Sequence, residues 1–189
     1  MNASTLTSGA DVPRWSALTH RWPSLLGVAT ALLVLATGPD RETLATVVGV
    51  ALLCYLGAAA LDRPWVAWAA IPAGGLLIAA SELTGLAWWA GLGVVALGLV
   101  TVGLLGRASR PALTAQTAAL IGYGVLAVTS LFVAPTAGLV LSALVLIGHG
   151  AWDLLHYRRN WVVPRSLAEF CMLLDVPLGV GFLLLAAVN

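Results

Sequence analysis

The chain contains no lysine; all nine of its basic side chains are arginines. A retinal Schiff base needs a lysine amine, so a microbial-rhodopsin reading is excluded at the outset. Charge of either sign is scarce. Charged residues make up 9% of the chain, against about a quarter in soluble domains, and the net charge is only +1. With no charge run and no basic field, nothing is available to hold nucleic acid or an acidic substrate. There are two cysteines, Cys54 and Cys171, each inside an apolar segment, so neither a disulfide framework nor a zinc ribbon can be built from them. They read as free thiols. A phosphate-cradling glycine loop, G-x-S-x-G and H-E-x-x-H are also missing.

What the chain does have is apolar length. It is 60% hydrophobic over 189 residues, with a mean hydropathy of +0.98, which is the composition of an integral membrane protein. Residues 1–22 are polar and read as a mobile arm. The first apolar run, 24–37, is short for a span, which takes about 17–25 residues. A signal-peptide core is the alternative, but no small-x-small cleavage site follows, so it reads as a retained helix. Further spans are expected near 43–61, 64–81, 85–105, 111–132, 136–157 and 167–188, with proline, glycine and charge as punctuation. Short connections force neighbouring helices to run antiparallel. The expected fold is all-α: a polytopic seven-transmembrane-helix, up-and-down bundle forming one domain over 23–189.

Orientation comes from arginine. Arg14, Arg21, Arg63, Arg107, Arg110, Arg158, Arg159 and Arg165 collect on one side and only Arg41 on the other. The positive-inside rule then puts the N-terminus in the cytoplasm and Asn189 outside, in a plasma or inner membrane. Trp22, Trp65 and Trp161 at the inner interface and Trp88 and Trp89 at the outer one agree with that orientation. The fourth span carries Gly85, Gly91, Gly93, Gly98 and Gly103, so close helix approach is expected there, within the bundle or in a homo-oligomer.

One stretch stands out, Gly148-His149-Gly150-Ala151-Trp152-Asp153-Leu154-Leu155-His156. At about 100° per residue, His149, Asp153 and His156 fall within roughly 60° of one another on a single helical stripe. Ionisable groups at membrane depth are rare, face the bundle interior and point to function. With a rise of about 1.5 Å per residue, His149 and Asp175 both lie roughly 12 Å inside the arginine-rich boundary. Asp153 is level with Cys171. Tyr55 comes in close to the same depth, and Gln116 and Tyr123 share a face of the fifth span, so these groups are expected to support the cluster. Gly148 and Gly150 remove bulk on either side of His149.

Imidazoles of His149 and His156 with carboxylates of Asp153 and Asp175 supply the nitrogen and oxygen donors that suit Zn²⁺ or a similar divalent ion. His149 and His156 are about 10 Å apart along the axis, so a neighbouring helix must complete any site, with Asp175 the foremost donor. The enzyme reading has the ion activate water against a membrane lipid, Asp153 or Asp175 as base, and Arg158, Arg159 and Arg165 at the headgroup. Two alternatives remain. The same groups could relay protons or ions in a small-solute transporter, or they could satisfy one another as a non-catalytic polar core, with Tyr55 or a tryptophan serving Asp175. Ser166-Leu167-Ala168-Glu169 matches a capping box. Glu82 reads as a solvated helix end.

Seven spans with intramembrane His and Asp are similar in outline to the membrane hydrolase superfamily that includes alkaline ceramidases and adiponectin receptors. The paired H-x-x-x-H of that superfamily's last span is absent, since the seventh span has no histidine and His149 and Asp153 form H-x-x-x-D in the sixth. Its zinc and its activity are therefore not carried over. Haem is not expected either. Bis-histidine ligation needs ligands facing from both sides of the ring, and the third histidine, His20, sits in the arm.

Overall fold

The computed structural model describes residues 21–38 and 40–188, and every regular element among them is an α-helix. The helices are α1 (Trp22–Ala36), α2 (Arg41–Leu61), α3 (Val66–Thr84), α4 (Trp88–Leu105), α5 (Arg110–Ser130), α6 (Pro135–Arg159) and α7 (Arg165–Val188). Each end lies within three residues of its expected position. Six of them, α2 to α7, are long and apolar enough to cross a membrane. α1, with 15 residues, rises only about 22 Å and falls short of that length. The expected N-terminal arm lies outside the described residues up to position 20, as does Asn189.

Local chemistry sets the helix ends. Asp40 caps α2 by accepting the Thr43 amide at 2.9 Å, one of the donors a helix start leaves unpaired. Proline occupies the first turn of α1, α5 and α6, where its missing N–H costs nothing. The caps after α2, α3 and α6 are Asp62, Gly85 and Asn160, all left-handed. α7 does not begin as the sequence suggests. It starts at Arg165, so Ser166 already lies inside the helix, where its hydroxyl accepts the Trp68 indole N–H at 3.2 Å. Glu169 accepts from Ser24 Oγ and pairs with Arg21. The expected capping box is therefore not formed; both of its side chains are spent on tying α7 to α3 and α1.

α2 is the axis of the bundle. It packs against α3, α4, α5 and α6, and 72% of its most apolar window is buried, so its sequence is apolar all round rather than striped. α6 and α7 form the most extensive pair, and α1 lies along α7. A Cβ on Gly27 would meet Phe170 and Leu173, and one on Gly181 would meet Leu35, so α1 and α7 run in the same direction. Outward-facing Leu76, Leu83, Val94, Leu97 and Leu105 are largely exposed, a surface suited to hydrocarbon. On α4, Gly91 and Gly103 approach Ser81 and Leu113, while Gly93 and Gly98 face open space.

One end gathers the arginines. Arg21 reaches Glu169, Trp22 rests on Trp68, and Gly103 sits against Ala60 and Leu113. These contacts bring the starts of α1, α3, α5 and α7 together with the ends of α2 and α4. Arg41 is at the opposite end, where its guanidinium donates to the Val133 carbonyl.

Candidate functional site

His149, Asp153 and Asp175 meet between α6 and α7 and are completely buried. His149 Nδ1 lies 2.8 Å from Asp175 Oδ2 and 3.5 Å from Asp153 Oδ2. One coordinating atom from each residue can be chosen so that all three lie within 4.8 Å of one another. The approach depends on Gly150, where a Cβ would sit 2.5 Å from Val176 Cγ2. With hydrogen there instead, α6 and α7 come close enough for the imidazole to reach a carboxylate on the facing helix.

A second ring of side chains supports the first. The Tyr55 hydroxyl donates to Asp153 Oδ1 at 2.6 Å, and its ring stands edge-on to both His149 and His156. Tyr123, on α5, donates to the Gly148 carbonyl at 3.0 Å and sets its ring edge-on to His149. Cys171 is buried one turn before Asp175 and, like Cys54, is a free thiol. It is not one of the converging ligands.

His156 belongs to a different group. Its Nδ1 donates to the Trp152 carbonyl at 2.8 Å and its Nε2 accepts from the Gln116 amide at 2.8 Å. Trp152 Nε1 in turn donates to Gln116 Oε1 at 3.2 Å, and Trp161 stacks on the imidazole at 13°. Both ring nitrogens are committed, which sets His156 apart from the converging three. Gln116, expected to support the cluster because it shares a face of the fifth span with Tyr123, instead serves His156 and Trp152. Arg158, Arg159 and Arg165 are exposed where α6 ends and α7 begins, and Glu82 is exposed at the end of α3.

The two groups differ in how well they are satisfied. Among the described residues, His149 Nε2, Asp153 Oδ2 and Asp175 Oδ1 are buried side-chain atoms without a hydrogen-bond partner, whereas His156, Gln116 and Trp152 close on one another. Unpartnered polar atoms in a dry interior cost roughly 1–3 kcal/mol each, and two adjacent carboxylates also demand positive charge. One imidazolium supplies one unit. A divalent cation would supply both. An apolar groove of about 550 Å³ lies between α2, α4 and α5, lined by Gly49, Leu52, Leu92, Thr117 and Gly124 among others, and none of the converging residues reaches it.

The sequence matches no known family model, and no curated protein or solved structure is significantly similar to it.

Proposed function

We propose that this integral membrane protein binds one divalent metal ion, with zinc first in line, through His149, Asp153 and Asp175, and uses it for hydrolysis of a membrane lipid. The observation that carries the reading is the convergence of one imidazole and two carboxylates, fully buried, with carboxylate oxygens left unpartnered. Nitrogen and oxygen donors suit zinc, and catalytic zinc sites use three protein ligands and keep a fourth position for water. An ion held there would activate water near neutral pH; Asp175, whose Oδ1 is unpartnered, is the carboxylate left to accept the proton, since Tyr55 occupies Asp153 Oδ1. Arg158, Arg159 and Arg165 cluster at the nearby helix ends and offer an anionic headgroup a cationic surface. With the arginine-rich end in the cytoplasm, the substrate comes from the inner leaflet. A self-satisfied polar core describes His156, Gln116 and Trp152 well; it does not describe His149 and the two aspartates.

The test is the metal content of the full-length protein purified without chelator, beside His149→Ala and Asp175→Asn. About one ion per chain is expected, lost in both variants while the helices persist, together with turnover of bilayer lipid. The reading is overturned if the wild type carries no ion and added Zn²⁺ or Mn²⁺ changes neither its melting temperature nor lipid turnover. A transport reading is favoured by one feature, the complete enclosure of the three residues, which is how an occluded ion site looks. Metal flux into proteoliposomes without lipid cleavage would select it.

A further inference from the structure

Asp153 does not have both of its oxygens free. Tyr55 donates to Oδ1 at 2.6 Å, while Oδ2 faces His149 Nδ1 at 3.5 Å and has no hydrogen-bond partner among the described residues. Nor is Tyr55 free to swing away. It projects from α2, the most enclosed helix, is itself 1% exposed, and its ring is held edge-on against two imidazoles, with centroids 5.6 Å from His149 and 4.9 Å from His156.

We propose that Tyr55 sets the ion specificity of the centre: by holding Asp153 to a single ligating oxygen, it selects a small four-coordinate ion such as Zn²⁺ over Ca²⁺. The inference rests on the metal reading above. Calcium takes 6–8 oxygen ligands, commonly including bidentate carboxylates, at about 2.3–2.6 Å. Here one donor is nitrogen, and Asp153 contributes one oxygen. Asp175 adds at most two more, so the converging residues supply no more than three side-chain oxygens. Zinc needs only four donors. Bonds of about 2.0–2.1 Å at tetrahedral angles separate ligand atoms by about 3.3 Å. The 3.5 Å spacing of His149 Nδ1 and Asp153 Oδ2 matches that separation, and the 2.8 Å contact to Asp175 opens by about 0.5 Å on the same geometry. Removing the Tyr55 hydroxyl frees Oδ1, so Asp153 can turn bidentate and the centre can serve a larger ion.

The experiment titrates the detergent-purified full-length chain with ZnCl₂ and with CaCl₂ by calorimetry, for the wild type, Tyr55→Phe and Ser142→Ala. Ser142 donates to Ser130 at 2.7 Å near the opposite end of the bundle, so its variant controls for loss of a buried hydroxyl. The wild type is expected to bind Zn²⁺ and to reject Ca²⁺. In Tyr55→Phe, zinc affinity falls about 10–100-fold, the usual effect of losing an outer-shell partner, while measurable calcium binding appears. Ser142→Ala keeps the wild-type ratio. A purely structural role for Tyr55 would weaken zinc with no gain of calcium binding, and that result overturns the inference while leaving the metal reading intact. So does a wild type that binds Ca²⁺ as tightly as Zn²⁺, a comparison that needs no variant to fold. A wild type that binds neither ion overturns the metal reading, and this inference with it.

Discussion

Gly150 is the residue on which the α6–α7 contact turns. Any side chain there drives into Val176, and overpacking of this kind costs about 1–3 kcal/mol. Gly150→Val is expected to lower the melting temperature and to draw His149 away from Asp175, so that bound metal falls in parallel; a melt together with metal analysis checks both. Asp40 provides a contrast at the surface. The Thr43 amide, its main partner, holds its carboxyl below the usual carboxylate range. A depressed pKa in the folded state means that the stabilisation is present above the unfolded value, roughly 3.9, and is lost as pH falls through the lowered one. Asp40→Ala should cost about 0.5–2 kcal/mol at neutral pH and progressively less as pH falls through the lowered carboxyl pKa, as read from thermal melts across the acid range. Such pairings were unevenly legible in the sequence. That Tyr55 reaches the buried acids followed from depth; that it chooses Asp153 over Asp175 did not, because the choice depends on how α2 is rotated about its own axis. Glu169 departs from its local pattern for a related reason. A capping box is a local pattern, and Ser24, 145 residues away in the chain, outbids it.

At the scale of elements, rise was readable and azimuth was not. Counting residues from the ends of α6 and α7 puts His149 level with Asp175, because a short hairpin fixes the relative height of two helices and about 1.5 Å per residue does the rest. Gln116 also has the right depth, yet it faces His156, since α5 approaches α6 through an arrangement that no single helix encodes. The connection between α6 and α7 adds a constraint of its own. Asn160 at φ 47° and Val162 at φ 64° are both left-handed, an ordinary conformation for asparagine and a strained one for a β-branched residue. Between them sits Trp161, stacked on His156. The loop spends backbone strain to hold that indole in place. Asn160→Gly should therefore be tolerated, whereas Asn160→Val should destabilise by about 1–2 kcal/mol and loosen the stack, seen as a shift in tryptophan fluorescence alongside the melt.

For the whole molecule, the seven-helix arrangement was the most legible level, because alternation of apolar runs with proline, glycine and arginine fixes the number of helices before any packing is known. The position of α2 at the centre was not legible. Its sequence is no more apolar than that of α7, with mean hydropathy 2.2 for both windows, and centrality is a property of the assembly. The arginines give the whole molecule a direction. Among the described residues, Arg21, Arg63, Arg107, Arg110, Arg158, Arg159 and Arg165 are exposed at the end where α1, α3, α5 and α7 begin, and Arg41 alone is at the other. In short loops this asymmetry governs insertion, since lysine and arginine near a span resist translocation. The arginine-rich end is thus expected in the cytoplasm, with α7 running outward from it. A phosphatase reporter that works only after export, fused behind Asn189, should be active, and a reporter that works only in the cytoplasm should be silent there. The opposite pattern would mean that arginine does not set the orientation of α2 to α7, and a second fusion at the α2–α3 turn beside Arg63 checks that independently. Five spans, α3 to α7, separate Arg63 from the C-terminus, so the two fusions must report opposite sides; if the rule fails, Arg63 faces outward and the C-terminus faces the cytoplasm.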